Sequence, residues 1–234
     1  MNRDNNQKGF TLIELMLAMG FISFLLIAIA MTVIQIGNIY NRGLILKEIN
    51  QVGRSIDDEL KRSISQSSPF AVDQITPTNY QIIKDGSNIT GGRLCLGQYS
   101  YIWNYGKYIQ SGPEIKNRYT SGGSDIRFVK ISDPGASYCV DKTKNIDDNP
   151  TSTKPVELLN PGQSNLAIQS FSITSSSSDE KTKQQLYNIV FLIGTNNQQA
   201  LKNNTSCKPP SELGSDFNFC AINEFKITVR AGGQ

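Results

Sequence analysis

Residues 10–36 read FTLIELMLAMGFISFLLIAIAMTVIQI, an apolar run with Glu14 as its single charge and no proline. A bilayer core requires about 20 apolar residues in helical form, so this run is long enough to span with some tilt. No later segment approaches it. Over all 234 residues the chain is 38% hydrophobic and 18% charged, which excludes a polytopic membrane protein and a wholly disordered chain. The pattern implies one N-terminal membrane helix and a large soluble remainder. Arg3 and Lys8 precede the run. Positive charge stays on the cytoplasmic side, so the short N-terminus is expected inside and the remainder outside. Cys95, Cys139, Cys207 and Cys220 then lie in a compartment where disulfides persist.

Three readings of the N-terminus compete. A secretory signal peptide would be cut after the A-x-A pattern of Ala28, Ile29 and Ala30. The run before that point exceeds the usual h-region of about 7–15 residues, and it contains an acid. A plain signal anchor leaves Glu14 without a purpose, although a central Asp costs about 2.5–3.5 kcal/mol on the translocon scale. An ionisable residue inside a span calls for a partner, unless it snorkels as an interfacial carboxylate. The third reading supplies the partner. Lys8-Gly9-Phe10-Thr11-Leu12-Ile13-Glu14-Leu15 strongly resembles the leader junction of type IV prepilins and type II secretion pseudopilins. The resemblance implies a leader of residues 1–9. A membrane aspartyl peptidase would cut between Gly9 and Phe10 and methylate the new amine. Glu14 would neutralise the terminal amine of a neighbouring subunit during assembly, removing much of the cost of two unpaired charges in lipid. The implied partners are other pilin or pseudopilin subunits, the prepilin peptidase and an inner-membrane assembly platform.

The helical pattern continues past the apolar run. Ile45, Ile49, Val52, Ile56, Leu60 and Ile64 recur at spacings of three and four, one face of an amphipathic helix. Asp57 with Lys61, and Asp58 with Arg62, are i,i+4 pairs in the favourable order. One helix is therefore predicted over residues 10–66, with residues 10–36 in the membrane. Residues 67–78, with Pro69 and Pro77, form a linker. Residues 79–234 form a β-rich head. Strands are predicted at residues 80–83, 93–105, 126–131, 166–174, 186–193 and 221–229, all rich in β-branched and aromatic side chains. No second long helical pattern separates them, so the sheet should be mainly antiparallel and the class α+β. Residues 141–165 and 196–219 read as long polar connections, and residues 175–178 as a hairpin loop. A long N-terminal helix packed on an antiparallel sheet also resembles the pilin fold. The size of the chain and its proline-free helix resemble the minor pilins and J-type pseudopilins, as does the ending FKITVR.

The chain has no histidine, which removes Ser-His-Asp and Cys-His catalysis and His-ligated zinc. Four cysteines allow three pairings, and their spacing fits no zinc site. Cys207–Cys220 and Cys95–Cys139 are the favoured pairs: the first closes a short C-terminal loop, as in many pilins, and the second would staple two strands. Tyr99, Tyr101, Trp103 and Tyr105 alternate along one predicted strand, with Leu96 and Ile102 opposite. Exposed, this ladder would stack bases or bind a partner; buried, it would pack on the helix. Asp141, Asn145, Asp147, Asp148 and Asn149 lack the EF-hand pattern. The sequons at Asn88, Asn203 and Asn204 match only a short pattern. A net charge of +3 without a basic stripe does not support nucleic-acid binding. No cofactor and no metal is expected. The predicted function is a non-enzymatic filament subunit. Its rivals are a tip-displayed adhesin or DNA-uptake receptor, and a simple anchored surface protein.

Overall fold

The computed structural model describes residues 10–72, 79–109, 126–141, 144, 146, 154–159, 165–179 and 184–232. The chain divides between Asn41 and Arg42 into two compact units. Helix α1, Leu12–Ser65, contributes to both. Its residues in the first unit bury nothing: the apolar window that qualifies as a membrane span is 0% buried. Such a surface in water would be untenable, and lipid or other helices are its natural cover.

In the second unit α1 buries Ile45, Ile49, Gly53, Ile56, Leu60 and Ile64, with Val52 packed at the margin. Gly53 extends the apolar stripe for a steric reason. The Phe225 ring lies where a side chain at position 53 would stand, and even a methyl group would overlap it. The helix ends where Ser65 and Ser67 turn their hydroxyls onto the carbonyls of Arg62 and Ile64, both at 2.9 Å, two residues before Pro69.

Two antiparallel sheets complete the unit. The first is β1 (Tyr80–Asp85), β2 (Asn88–Cys95), β3 (Tyr99–Asn104), β4 (Phe128–Ser132) and β5 (Val156–Glu157), in that spatial order. The second places β7 (Gln184–Thr195) between β6 (Leu166–Asp179) and β10 (Ile222–Ala231). A small hairpin, β8 (Leu201–Lys202) and β9 (Ser206–Cys207), lies in the connection between β7 and β10. The sheets meet where Tyr105 bridges Ile168 in parallel. There the Tyr105 hydroxyl bonds both the N–H and the carbonyl of Phe171 at 3.2 Å, and the Tyr80 hydroxyl donates to the same carbonyl at 3.3 Å.

Register gives the core its composition. Phe171, Phe191 and Phe225 pair across the three-stranded sheet, and so do Ile173, Ile189 and Ile227. They join the helix stripe, Tyr101, Trp103 and Phe128 in one apolar cluster. The other face of the five-stranded sheet has its own small core: Ile102, Val129 and Ile131 lie under Tyr138, Cys139 and Ile146. Tyr138 and Cys139 belong to a one-turn helix, α2, Ser137–Val140.

Several sequence expectations need correction. Residues 93–105 are not one strand. Gly97, at φ +88°, folds the run back so that Leu94 pairs with Tyr101. Residues 175–178 are not a hairpin loop but part of β6, where a register shift at Ser175/Ser177 absorbs one residue. Serine fits an exposed edge strand as readily as a turn, so the run carried no direction. Residues 196–219 contain β8 and β9 instead of an unbroken connection. Arg62 pairs with Glu59 at 2.7 Å and not with Asp58, because Glu59 is already held in place by the sheet; Lys61 does pair with Asp57 at 2.8 Å.

Candidate processing and assembly site

Gly9 lies outside the described residues. Phe10 begins them and is 85% exposed. Thr11 precedes the first helical residue, and Glu14 stands three positions on, the T-x-x-E arrangement of a capping box. The geometry is that of the box. The Glu14 Oε2 accepts the Thr11 backbone N–H at 2.9 Å and the Thr11 hydroxyl at 2.8 Å, while the Glu14 N–H reaches the Thr11 Oγ1 at 3.3 Å. Free N–H groups at a helix start are costly in lipid, and here two are satisfied internally. The carboxylate that the sequence singled out is thus held at the helix start by Thr11, a residue sequence reasoning passed over although its spacing from Glu14 is legible.

The head residues fall into separate groups. The structure joins Cys95 to Cys139, 44 residues apart, and Cys207 to Cys220, 13 apart. The first ties β2 to α2; the second closes the loop that carries β9. Of the aromatic ladder, Tyr101 and Trp103 are 0% and 1% exposed, Tyr105 is partly buried, and only Tyr99 reaches 38%. The ladder is therefore not an exposed stacking face. Its β3 side chains point at α1 and at β6, with Trp103 4.3 Å from the Phe171 ring between centroids. Of the acidic cluster, Asn145, Asp147, Asp148 and Asn149 lie outside the described residues. Among the described residues no three His, Cys, Asp or Glu side chains gather to hold a metal. At the Asn88 sequon Thr90 is fully buried, whereas Asn203 and Asn204 turn the β8–β9 hairpin with φ of 53° and 58°.

Two charges, Glu59 part-buried and Arg93 fully buried, had no signal in the sequence. Glu59 of α1, 14% exposed, accepts from Lys130 at 2.6 Å, Arg62 at 2.7 Å, the Tyr101 hydroxyl at 2.8 Å and the Ser63 hydroxyl at 3.1 Å. Burial would raise its pKa, but the hydrogen bonds from Lys130, Tyr101 and Arg62 outweigh that and hold it at about 2. This network fixes the helix to β3 and β4 by polar bonds beside the apolar stripe. Arg93 of β2, 1% exposed, donates to the carbonyls of Tyr138 at 2.8 Å, Asp141 at 3.1 Å and Lys144 at 2.8 Å. Burial pulls it down to about 10, against the attraction of Asp141. At the other end of α2 the Asp133 carboxylate accepts the N–H groups of Ser137 and Tyr138, at 3.0 and 3.1 Å. One turn of helix is thereby bracketed by an anion at its start and a cation at its end, the order the helix dipole favours.

Residues 4–34 match the family model described as the prokaryotic N-terminal methylation motif. No curated protein and no solved structure matches the chain. The match covers the Lys8–Leu15 segment and most of the apolar run, and helix α1 starts within it. The motif supports a type IV pilin-like protein, of the pilin and pseudopilin kind whose precursors are processed by prepilin peptidase.

Proposed function

We propose that the chain is a non-enzymatic structural subunit of a type IV pilus-like filament, in the position of a minor pilin or pseudopilin. It is made as a single-pass membrane precursor with the head outside and matures by cleavage between Gly9 and Phe10. The observation that carries this reading is the methylation motif over residues 4–34, set on an apolar helix whose continuation packs the head. A helix that is fully exposed over one stretch and core-forming over the next suits a subunit that trades lipid for neighbouring helices on assembly. Glu14 is the assembly contact. Terminal sequencing of the mature protein tests the reading. The mature chain should begin at Phe10 with a methylated amine, and Gly9→Leu should leave the precursor uncut. A chain beginning at Met31 would show secretory cleavage and overturn the proposal.

A further inference from the structure

We infer that the turn of the β8–β9 hairpin is a glycan acceptor, with Asn203 as the modified side chain and a saccharide carried on a polyprenyl pyrophosphate as the donor. The inference rests on the proposed outward placement of the head, since this acceptor pattern serves exported chains. Asn203-Asn204-Thr205 carries the two groups an N-linked transfer needs, a side-chain amide and a hydroxyl two residues on. In the transfer the Asn203 Nδ2 bonds the anomeric carbon of the sugar. The bond from that carbon to the pyrophosphate oxygen breaks, the polyprenyl pyrophosphate leaves, and the amide gives up one proton.

The same pattern occurs at Asn88-Ile89-Thr90, and the fold separates the two. Thr90 is 0% exposed in β2, and its hydroxyl donates to the Ile83 carbonyl at 3.2 Å, so an enzyme reaches it only by opening the five-stranded sheet. Asn203 and Thr205 are both exposed. Asn204 heads an overlapping pattern, but it is half-buried and its serine, Ser206, lies in β9. The Thr205 N–H closes the turn on the Lys202 carbonyl at 3.2 Å, with Asn203 and Asn204 at φ of 53° and 58°. Asparagine tolerates this left-handed backbone, which accounts for the residue type but not for the threonine that follows. Neither carboxamide is engaged: among the described residues Asn203 and Asn204 make no hydrogen bond through their side chains. The Thr205 hydroxyl reaches only the Lys202 carbonyl, at 3.4 Å. A transferase must also draw its acceptor out of the turn. The ladder beneath has two pairs, Lys202–Ser206 and Leu201–Cys207, and the opening stops at the Cys207–Cys220 disulfide. Opening so short a ladder costs far less than unfolding the head.

The test is non-reducing peptide mapping by mass spectrometry of the full chain purified from its native host. The peptide carrying Asn203 should bear a saccharide on that asparagine, and the peptide carrying Asn88 should not. Asn203→Gln and Thr205→Ala should each lose the added mass, while Thr205→Ser, which keeps the hydroxyl, should retain it. An intact Cys207–Cys220 bond in each variant shows that the loss does not come from a misfolded hairpin. Unmodified Asn203 in protein whose Cys207–Cys220 bond is formed would overturn the inference and leave the outward placement standing. Unmodified Asn203 together with free thiols at all the cysteines would overturn the outward placement, and the inference with it. Saccharide on Asn88 to the same extent as on Asn203, or on serine and threonine alone, would also overturn the inference.

Discussion

Glu59 and Glu157 are carboxylates whose environments pull in opposite directions, and together they shape how the head responds to pH. Glu59 sits at about 2, below its ordinary 4.5. Its contribution is fully present above pH 4.5 and is lost as pH falls toward 2. Glu157 is pushed by burial up to about 7, against hydrogen bonds from the N–H groups of Phe128, Leu159 and Arg127. The folded state therefore favours its protonated form, and that contribution declines as pH rises from 4.5 through 7. Thermal melts of the full chain in detergent, followed by near-UV circular dichroism, should give the highest Tm near pH 4.5–5. Glu157→Gln should flatten the decline between pH 4.5 and 7. Glu59→Gln should lower Tm at neutral pH by stranding Lys130, and should weaken the acid limb, to which Asp133 also contributes because its pKa is likewise held down. A Glu157→Gln profile that keeps the neutral-side decline would remove Glu157 as its cause.

At the scale of elements, the contact between α1 and the three-stranded sheet depends on a glycine. Gly53→Ala replaces the poorest non-proline helix former with the best, a gain of about 1 kcal/mol in an open site. Here the new methyl meets the Phe225 ring. Overpacking of this kind costs about 1–3 kcal/mol, so the variant should be destabilised, with Tm lower by up to several degrees. In a Phe225→Leu background the ring is gone, and the same Gly53→Ala change should be neutral or stabilising. Thermal melts of the four proteins of this cycle measure the coupling, and additive effects would show that the ring is not the obstacle. The stripe itself was legible, because period 3.6 survives any detail of packing: all of its members except Val52 are buried. Gly53 was not, since a glycine in a helix pattern reads as weakness until its neighbour is known. The break at Gly97 was hidden for a similar reason. Leu94 and Tyr101 fall within one predicted strand, and only the backbone reversal shows that they pair with each other. Glu59 and Arg93 were invisible because their partners are backbone carbonyls and side chains up to 71 residues away.

For the whole molecule, the proposed filament role turns on what the Thr11–Glu14 box would do at assembly. In the single chain the Thr11 N–H and hydroxyl both bond the Glu14 Oε2. A neighbour's ammonium can therefore pair with Oε1 while the cap keeps Oε2, since a carboxylate has lone pairs for both. Glu14→Gln keeps an acceptor for the cap but loses the charge that an ammonium needs. Membrane insertion should be unchanged or easier, since an amide is cheaper in lipid than a carboxylate. Cleavage at Gly9 should persist, because the scissile bond lies upstream of the change. Recovery of the processed variant with filament fractions or partner pilins should fall well below wild type. Thr11→Val is the companion variant: it removes the hydroxyl from the cap and leaves the charge, so assembly should survive while the first helical turn frays. Equal recovery of Glu14→Gln and wild type would rule out charge pairing as the assembly contact. Loss in both variants alike would instead make an intact helix start, and not the charge, the requirement for entry.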